Sequence, residues 1–369
     1  MRQLLEANGL DGVPETPFPN GGWSGSNLTA LQRGSERFVL KRTSPSTDWI
    51  GRSTHDRAMR EGFIANTALR LVEPIVAPYL GAGSDGDAIA LLMPDVSDEL
   101  IGWEGTGHDP VVGPATLDRV IDAVARLHAM RWADYRPTTA DWGWPWCPLR
   151  ERLLLLSRHS AERYAAEGLP VGQRLLDGWD AFDRVASPSA RTLIGGLMID
   201  PTPLLAALGR LPATGLHGDL ELANVALLDD GRVALIDWQL MCLAPVAVEL
   251  GWLMASNSAV LPIEPEAIVA RYLEAATRAA REPLTVGPAW PDRDRPPEPA
   301  LTLPPRGLGP TIGDWGAQRD LAWIVGLFMG GWRKGLDAEA GATLGSGVAA
   351  AEDLASWCER AVEAAGRRL

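Results

Sequence analysis

The sequence predicts an α+β fold in two parts, a small strand-rich N-terminal part and a larger, mostly helical part. Short apolar runs separated by Gly and Ser turns between residues 18 and 42, and a further apolar run at 87–96, are typical of strands. Beyond them, apolar residues recur at helical spacing, most clearly at 116–132. We therefore predict one domain at 1–96 and a second at 97–369.

Length and composition indicate a folded globular protein. The chain has 369 residues, of which 46% are hydrophobic and 22% charged. Its formal net charge of -13 argues against nucleic acid or an anionic membrane as partner, because basic patches bind phosphate groups. Three cysteines lie far apart without Cys-x-x-Cys spacing, which predicts neither disulfides nor a zinc site and fits a reducing compartment.

Targeting signals are not evident in the sequence. The N-terminal residues lack an apolar signal core, and the longest apolar stretch, at 321–329, is too short to span a membrane. We therefore expect a cytoplasmic protein that does not bind membranes and is a monomer or a homodimer.

A Gly-rich turn opens the strand-rich part. Its glycines would let backbone N–H groups approach phosphate oxygens, and its polar side chains would add donors. The candidates for nucleotide binding are Gly22, Ser24, Gly25, Ser26 and Asn27. Neither GxGxxG nor GxxxxGK spacing is present in this turn, so an ordinary turn between strands is the alternative.

The stretch at 216–239 carries the most specific signal. Its loop contains His217, Asp219 and Asn224, and a hairpin then leads to a strand that ends in Asp237. Phosphoryl transfer from ATP to a hydroxyl needs a carboxylate that orients the acceptor and oxygen ligands that hold Mg²⁺. Asp219 and Asn224 have the spacing of a kinase catalytic loop, and Asp237 stands where a second metal ligand belongs. Each acid alone would pass for a turn residue or a cap, but the joint pattern favours catalysis.

This combination resembles the aminoglycoside phosphotransferase and choline kinase-like family. The signature of that family is His-Gly-Asp, an Asn five residues after the Asp, and an Ile-Asp-Trp or Ile-Asp-Phe strand. The resemblance implies catalytic roles for His217, Asp219 and Asn224 and metal-binding roles for Asn224 and Asp237. It also implies a protein-kinase-like fold, with an antiparallel sheet and one main helix in the small lobe, a helical large lobe, and ATP and Mg²⁺ in the cleft.

Two further residues extend the resemblance into the small lobe. Lys41, one of only two lysines, ends the third predicted strand, where a kinase-like lobe places the lysine that holds the α- and β-phosphates. The resemblance makes Glu61, in a helix predicted at 56–71, the partner of Lys41. The alternatives are a surface lysine on an edge strand and a solvated helix glutamate.

The strand at 87–96 would be the hinge that holds adenine through backbone groups. Pro94 has no N–H. Adenine would therefore need the carbonyl of Met93 and an N–H from Asp95 or Val96.

Departures from the family and from protein kinases bear on the catalytic loop. Gly218 replaces the Arg that protein kinases place before their catalytic Asp, and Glu249 replaces the Asp with which relatives buttress the loop. His128, on the apolar face of the helix at 116–132, is interpreted as a core residue, because no second His or Cys accompanies it. A helix beginning at Pro245 leaves no room for an activation loop, which favours a small-molecule acceptor.

The acceptor site is predicted between the catalytic loop and the C-terminal helices. The candidates are Glu221, Asp314, Trp315 and Asp320, because carboxylates beside tryptophan suit a hydroxylated acceptor that carries an amine. In the alternative, Asp314 caps a helix and Trp315 packs in the core. The Pro-rich stretch at 281–313 is predicted to be a connection or a lid.

Two classes of function follow. The first is an ATP- and Mg²⁺-dependent enzyme that phosphorylates a hydroxyl of an aminoglycoside-, amino-alcohol- or sugar-like molecule. The second is a catalytically silent nucleotide-binding regulator with the same fold. The enzyme is favoured, because a degenerate site would have lost at least one of Lys41, Asp219, Asn224 and Asp237.

Overall fold

The computed structural model describes residues 1–18, 24–57, 59–66, 71–101, 112–130, 132, 145–287, 301–305, 307, 309 and 312–369. Its strands are β1 Thr16–Pro17, β2 Asn27–Arg33, β3 Glu36–Thr43, β4 Ile75–Val76, β5 Gly81–Asp85, β6 Ala88–Pro94, β7 Leu100–Ile101, β8 Thr214–Leu216, β9 Val225–Leu227, β10 Val233–Leu235, β11 Cys242–Ala244, β12 Leu284–Val286 and β13 Leu301–Leu303. Its helices are α1 Arg2–Ala7, α2 Trp49–Ser53, α3 Arg60–Asn66, α4 Pro114–Ala129, α5 Leu149–Leu154, α6 Arg158–Ala166, α7 Pro170–Val185, α8 Pro188–Ile199, α9 Thr202–Leu208, α10 Val246–Ser256, α11 Pro265–Arg281, α12 Trp315–Glu339 and α13 Ala350–Arg368.

The N-terminal part is built on an antiparallel five-stranded sheet in the order β1-β2-β3-β6-β5. Alternation along β3 sends Leu40 to an apolar cluster with Leu31 and Leu92, which Leu5 of α1 joins. Lys41, next in sequence, therefore points to the opposite face of the sheet. There it faces the rest of the protein.

A second sheet connects the N-terminal part to the catalytic stretch. In this sheet β9 and β10 form an antiparallel hairpin, β10 pairs with β4 in parallel orientation, and β9 pairs with β7 in antiparallel orientation. Strands β8 and β11 pair separately from this sheet. Strands from both sides of residue 96 thus hold the hairpin that ends near Asp237. The predicted domain boundary at 96/97 remains a prediction.

The helical part packs around α10 and α12. Every residue of α10 is buried, and α12 lies against α10, α7 and α13. Gly251 and Gly326 stand where α10 and α12 cross. A Cβ atom on Gly251 would lie 2.6 Å from the carbonyl oxygen of Ala322, so this crossing distance requires glycine.

The predicted α+β fold is confirmed. The order of its elements is protein-kinase-like: an antiparallel sheet comes first, a helix follows the third strand, and a helical part then carries the catalytic hairpin. Helical stretches are also predicted from the sequence near 149–168, 171–188 and 201–209, and several boundaries differ in the structure. The helix predicted at 149–168 is two helices, because the Ser157 side chain accepts a hydrogen bond from the Ser160 N–H and starts α6 anew. Helix α8 was not predicted, since the exposed Ile199 and paired glycines obscure its apolar spacing.

The stretch at 281–313 contains more regular structure than a connection. It begins with the last residue of α11, and β12 and β13 then pair as antiparallel strands. Residues 288–300 lie outside the described part of the chain, as does the first half, 141–144, of the Trp-rich stretch at 141–148. Among the described helices, none is long and apolar enough to cross a membrane.

Candidate active site

Glu249 of α10 holds the catalytic loop between β8 and β9 in place by accepting hydrogen bonds from the loop backbone. The Gly218 N–H donates to Glu249 Oε1 at 2.6 Å, and the His217 N–H donates to Oε2 at 3.2 Å. His128 Nε2 lies 2.8 Å from the same Oε2. Burial would raise the pKa of Glu249, but these hydrogen bonds outweigh it and lower the pKa below its ordinary value. The predicted buttress contact is therefore present, with Glu in place of Asp.

Gly218 has to be glycine in this loop. Its φ is 84°, and a Cβ atom would lie 1.9 Å from the carbonyl oxygen of Leu240. No side chain, and hence no arginine, fits at the position before Asp219.

His217 lies beneath the loop and is fully buried. Its Nε2 donates to the carbonyl of Ile236 at 2.9 Å, and its ring meets Trp238 edge to face at 4.7 Å between centroids. Burial lowers the pKa of His217 below its ordinary value. These contacts tie the loop to the strand that leads to Asp237. The structure does not support the predicted direct catalytic role, because a fully buried ring has no surface that a substrate could touch.

His128 is the core histidine that the sequence predicts. Its ring is fully buried, with the Tyr272 hydroxyl 2.6 Å from Nδ1 and Glu249 at Nε2. His128 thus connects Glu249, which holds the catalytic loop, to Tyr272 in the helical core.

The side chains of Trp252 and Asn224 contact the two carboxylate oxygens of Asp219. Trp252 Nε1 donates to Oδ1 at 3.0 Å, and Asn224 Nδ2 lies 3.4 Å from Oδ2. Asn224 Nδ2 also donates to the backbone carbonyl of Asp219 at 3.0 Å. Burial raises the pKa of Asp219 to about 7, with Glu221 adding to the increase and Arg152 opposing it. The side chain is still 21% exposed, so a small molecule can reach it.

Lys41, Glu61 and Asp237 form a three-member ion network. Lys41 Nζ lies 2.6 Å from Glu61 Oε2 and 2.9 Å from Asp237 Oδ1, and the Tyr79 hydroxyl donates to Glu61 Oε1 at 2.8 Å. Burial alone would lower the pKa of Lys41, but the two carboxylates raise it, so Lys41 is charged. The structure thus makes the predicted contact between Lys41 and Glu61.

The network and the catalytic loop adjoin. The Ile236 N–H donates to the Asn224 carbonyl at 3.0 Å, immediately before Asp237. Asp237 has a φ of 63°, a left-handed conformation that is uncommon outside glycine, and its side chain is 31% exposed. This backbone turn directs the chain out of the strand next to Asn224.

The Gly-rich turn is described from residue 24 onward, so Gly22 lies outside the described residues. Ser24 and Ser26 are buried, and their hydroxyl oxygens are 2.9 Å apart. Gly25 has a φ of 84°, and a Cβ atom there would lie 2.5 Å from the carbonyl oxygen of Thr47. Asn27 is the first residue of β2, opposite Arg42 on β3, and is exposed.

The hinge prediction needs one correction. Met93 is buried opposite Val39, as a hinge strand requires. The Asp95 N–H, however, donates to the carbonyl of Arg37 at 3.0 Å. It is therefore already used, and the N–H of Val96 is the remaining one of the predicted pair.

The acceptor site predicted at the start of α12 is not supported. Asp314 caps the helix by accepting from the Ala317 N–H at 3.2 Å, and Trp315 stacks on Tyr272 at 6.0 Å. Asp320 is 2% exposed and is bonded by the guanidinium groups of two arginines at the end of α13, at 3.0 and 2.8 Å. Trp315 and Asp320 do line a cavity of about 690 Å³ between α11, α12 and α13, but Asp219 is not among its lining residues.

Glu221 is the one acceptor candidate that the structure brings to Asp219. Burial raises the pKa of Glu221, whereas Arg333 of α12 opposes the increase from 3.7 Å. The wall beside Asp219 thus carries charges of both signs.

Two residues beside Asp219 were missed from the sequence. Trp252 follows Glu249 by three positions on α10, so helical spacing places both on one face, and this signal was available. Arg152 of α5 is 1% exposed and lies 3.5 Å from Asp219 Oδ1. No local pattern points to it, because only tertiary packing joins α5 to the loop.

Comparison with known proteins gives a family match. The model of the phosphotransferase enzyme family matches residues 15–284, well over half of the chain. No curated protein matches the sequence.

Solved structures with a similar chain path were also found. A choline kinase from Streptococcus pneumoniae aligns over 98% of this chain and 96% of its own, with 11% identity and a TM-score of 0.43. A choline kinase from Cryptosporidium parvum aligns over 97% and 89%, with 10% identity and a TM-score of 0.47. A macrolide 2'-phosphotransferase from Brachybacterium faecium aligns over 92% of both chains, with 18% identity and a TM-score of 0.41. At these values the three structures say nothing about the acceptor of this chain.

Proposed function

Because the chain belongs to the phosphotransferase enzyme family, we propose that it transfers the γ-phosphoryl group of ATP to a hydroxyl of a small molecule, with Mg²⁺ as the metal. The observation that carries the proposal is the junction of the Lys41, Glu61 and Asp237 network with the Asp219 and Asn224 loop. A cation for the phosphates, oxygen ligands for a metal and a carboxylate for the acceptor thus adjoin, as phosphoryl transfer requires.

In this proposal Lys41 binds the α- and β-phosphates, and Glu61 holds its ammonium group in place. The Gly-rich turn, with Ser24, Gly25, Ser26, Asn27 and also Gly22, covers the phosphates. Adenine contacts the Met93 carbonyl and the Val96 N–H. The Asp95 side chain, which accepts from the Ser97 N–H at 3.0 Å, shapes the hinge instead.

Asp237 and Asn224 are the proposed metal ligands. Among the residues that the structure describes, no group of three or more His, Cys, Asp or Glu is placed to hold a metal alone. Mg²⁺ does not need one, because it binds through one or two protein carboxylates, waters and substrate phosphates. The donor set fits: Asp237 has a partly exposed carboxylate, and the Asn224 NH₂ group is bonded to Asp219, which leaves the amide oxygen for the metal. When bound, Mg²⁺ neutralises charge on the phosphates.

Asp219 orients the acceptor hydroxyl and takes its proton. The bond between the acceptor oxygen and the γ-phosphorus forms while the bond from that phosphorus to the β,γ-bridging oxygen breaks, and ADP leaves. Trp252 and Asn224 fix the carboxylate in the direction that this step needs, which acts mainly in the transition state.

ADP release tests the proposal. The protein is incubated with Mg-ATP and a panel of amino alcohols, aminoglycosides, macrolides, sugars and nucleosides, with Asp219→Asn as the matched inactive control. We expect one acceptor class to increase ADP release in the parent and not in the variant. Binding of Mg-ATP without turnover on any acceptor would instead favour the silent regulator.

A further inference from the structure

We propose that Arg152 is a positioning residue for Asp219, supplying from helix α5 the guanidinium group that the catalytic loop cannot carry. This inference rests on the proposed phosphotransferase function and adds a residue to it. The position before Asp219 accepts only glycine, because a Cβ atom there would lie 1.9 Å from a backbone oxygen. A cation beside the catalytic carboxylate therefore has to come from another element.

Arg152 reaches the loop at two points. Its Nε donates to the Gly218 carbonyl at 2.6 Å, and its Nη2 lies 3.5 Å from Asp219 Oδ1. The guanidinium carbon lies 4.9 Å from the centre of the Trp252 ring, and the Trp252 N–H donates to the same Oδ1 at 3.0 Å. Arginine and tryptophan thus form one stacked unit that faces a single oxygen of Asp219, leaving Oδ2 beside Asn224.

Stability alone does not account for this arrangement. Arg152 is 1% exposed, and within the described structure its Nη1 and Nη2 atoms are buried without a hydrogen-bond partner. A buried guanidinium is costly unless it is fully paired, and a well-packed apolar side chain is often no less stable in such a place. Of these two atoms, Nη2 stands at the distance of a loose ion pair from Asp219. A small rotation of the carboxylate would convert that contact into a hydrogen bond.

The test compares Arg152→Met and Arg152→Lys with Arg150→Met. Arg150 lies on the same helix, its side chain is 57% exposed, and it lies outside the site, so the same chemical change there is a matched control. The assay is ADP release from Mg-ATP with water as acceptor, together with the melting temperature and the affinity for Mg-ATP. For Arg152→Met we expect kcat to fall about 100-fold while the KM for ATP stays within about threefold, as for a misplaced catalytic group.

Arg152→Lys keeps the positive charge but loses the planar guanidinium group and its stacking on the Trp252 ring. We expect it to fold even if Arg152→Met does not, and to lose about tenfold in kcat. Combination with Asp219→Asn separates positioning from a general structural effect. If Arg152 acts through Asp219, Arg152→Lys in the Asp219→Asn background should change the residual rate by less than about threefold. A further loss there, or a parallel rise in the KM for ATP, would overturn the proposal.

A crystal structure of Arg152→Lys gives a readout that does not depend on turnover. We expect the Asp219 carboxylate to leave its position 3.0 Å from Trp252 Nε1, whereas Arg150→Met should retain it. If the parent releases no ADP with water or with any acceptor of the panel, the proposed function fails, but this structure still decides the inference. An unmoved carboxylate would contradict it in either case.

Discussion

Replacing Glu249 by Gln should destabilise the protein far more than a change of one atom suggests. Glu249 is 2% exposed and serves three donors, the N–H groups of Gly218 and His217 and the Nε2 of His128. Hydrogen bonds to a charged acceptor contribute roughly 1.5–3 kcal/mol each. An amide keeps one oxygen and turns its NH₂ group toward donors, so at least one buried N–H loses its acceptor. We expect the free energy of unfolding to fall by about 3 kcal/mol.

Urea unfolding followed by tryptophan fluorescence measures this loss. Glu363→Gln is the matched control, because its side chain is 61% exposed and lies 3.7 Å from Arg367, and it should change the free energy of unfolding by less than about 0.5 kcal/mol. A loss below about 1 kcal/mol for Glu249→Gln at neutral pH would refute the assignment of Glu249 as the main support of the loop.

The pH dependence of the same difference checks the charge. The folded-state pKa of Glu249 is lowered from its ordinary value of 4.5. The unfolded chain therefore takes up a proton first as the pH falls, and the stabilisation is complete above this value and is lost as the pH falls through the folded-state pKa. The difference in the free energy of unfolding between the parent and Glu249→Gln should be largest near neutral pH and should decrease in acid. A gap that widens in acid would mean that Glu249 is not held as a carboxylate.

The remaining predictions concern the metal, the base and the loop. Asp237→Ala should abolish the Mg²⁺-dependent increase in melting temperature that ATP produces, and normal stabilisation would remove Asp237 from the metal ligands. Asp219→Asn should lower kcat by several orders of magnitude and leave nucleotide affinity within roughly tenfold, as measured by turnover and calorimetry, and an equal loss of ATP binding would reassign the residue. Gly218→Ala should cost more than about 2 kcal/mol in urea unfolding because of its close approach to Leu240, and a neutral effect would contradict the loop geometry.

The contacts among the candidate site residues could be predicted because their signal is local. Asp219 and Asn224 are five residues apart in one loop, and the Asn224 side chain donates a hydrogen bond to the backbone carbonyl of Asp219. Lys41 was identified by its place at the end of a strand, and alternation along that strand turns it away from the outer apolar cluster. Short-range spacing and backbone geometry suffice for such residues.

The failed predictions share the opposite property. Asp320 looked like a free carboxylate, but its arginine partners lie 47 and 48 residues away in sequence. Asp95 looked like a free N–H donor, but its acceptor is on a neighbouring strand. Pairing between distant elements decides whether a polar group is available to a ligand, and one sequence does not contain that information.

Helix α10 explains why the loop needs no activation segment to hold it. Glu249 binds the loop backbone and Trp252, almost one turn later, binds the Asp219 carboxylate, so one helix sets both the position of the loop and the direction of this carboxylate. All residues of that helix are buried, and Gly251, between the two, allows α12 to pack directly against it. Moving the loop would therefore require moving the packed core of the helical part. The geometry of the Asp219 carboxylate is thus fixed by the same packing that stabilises the fold.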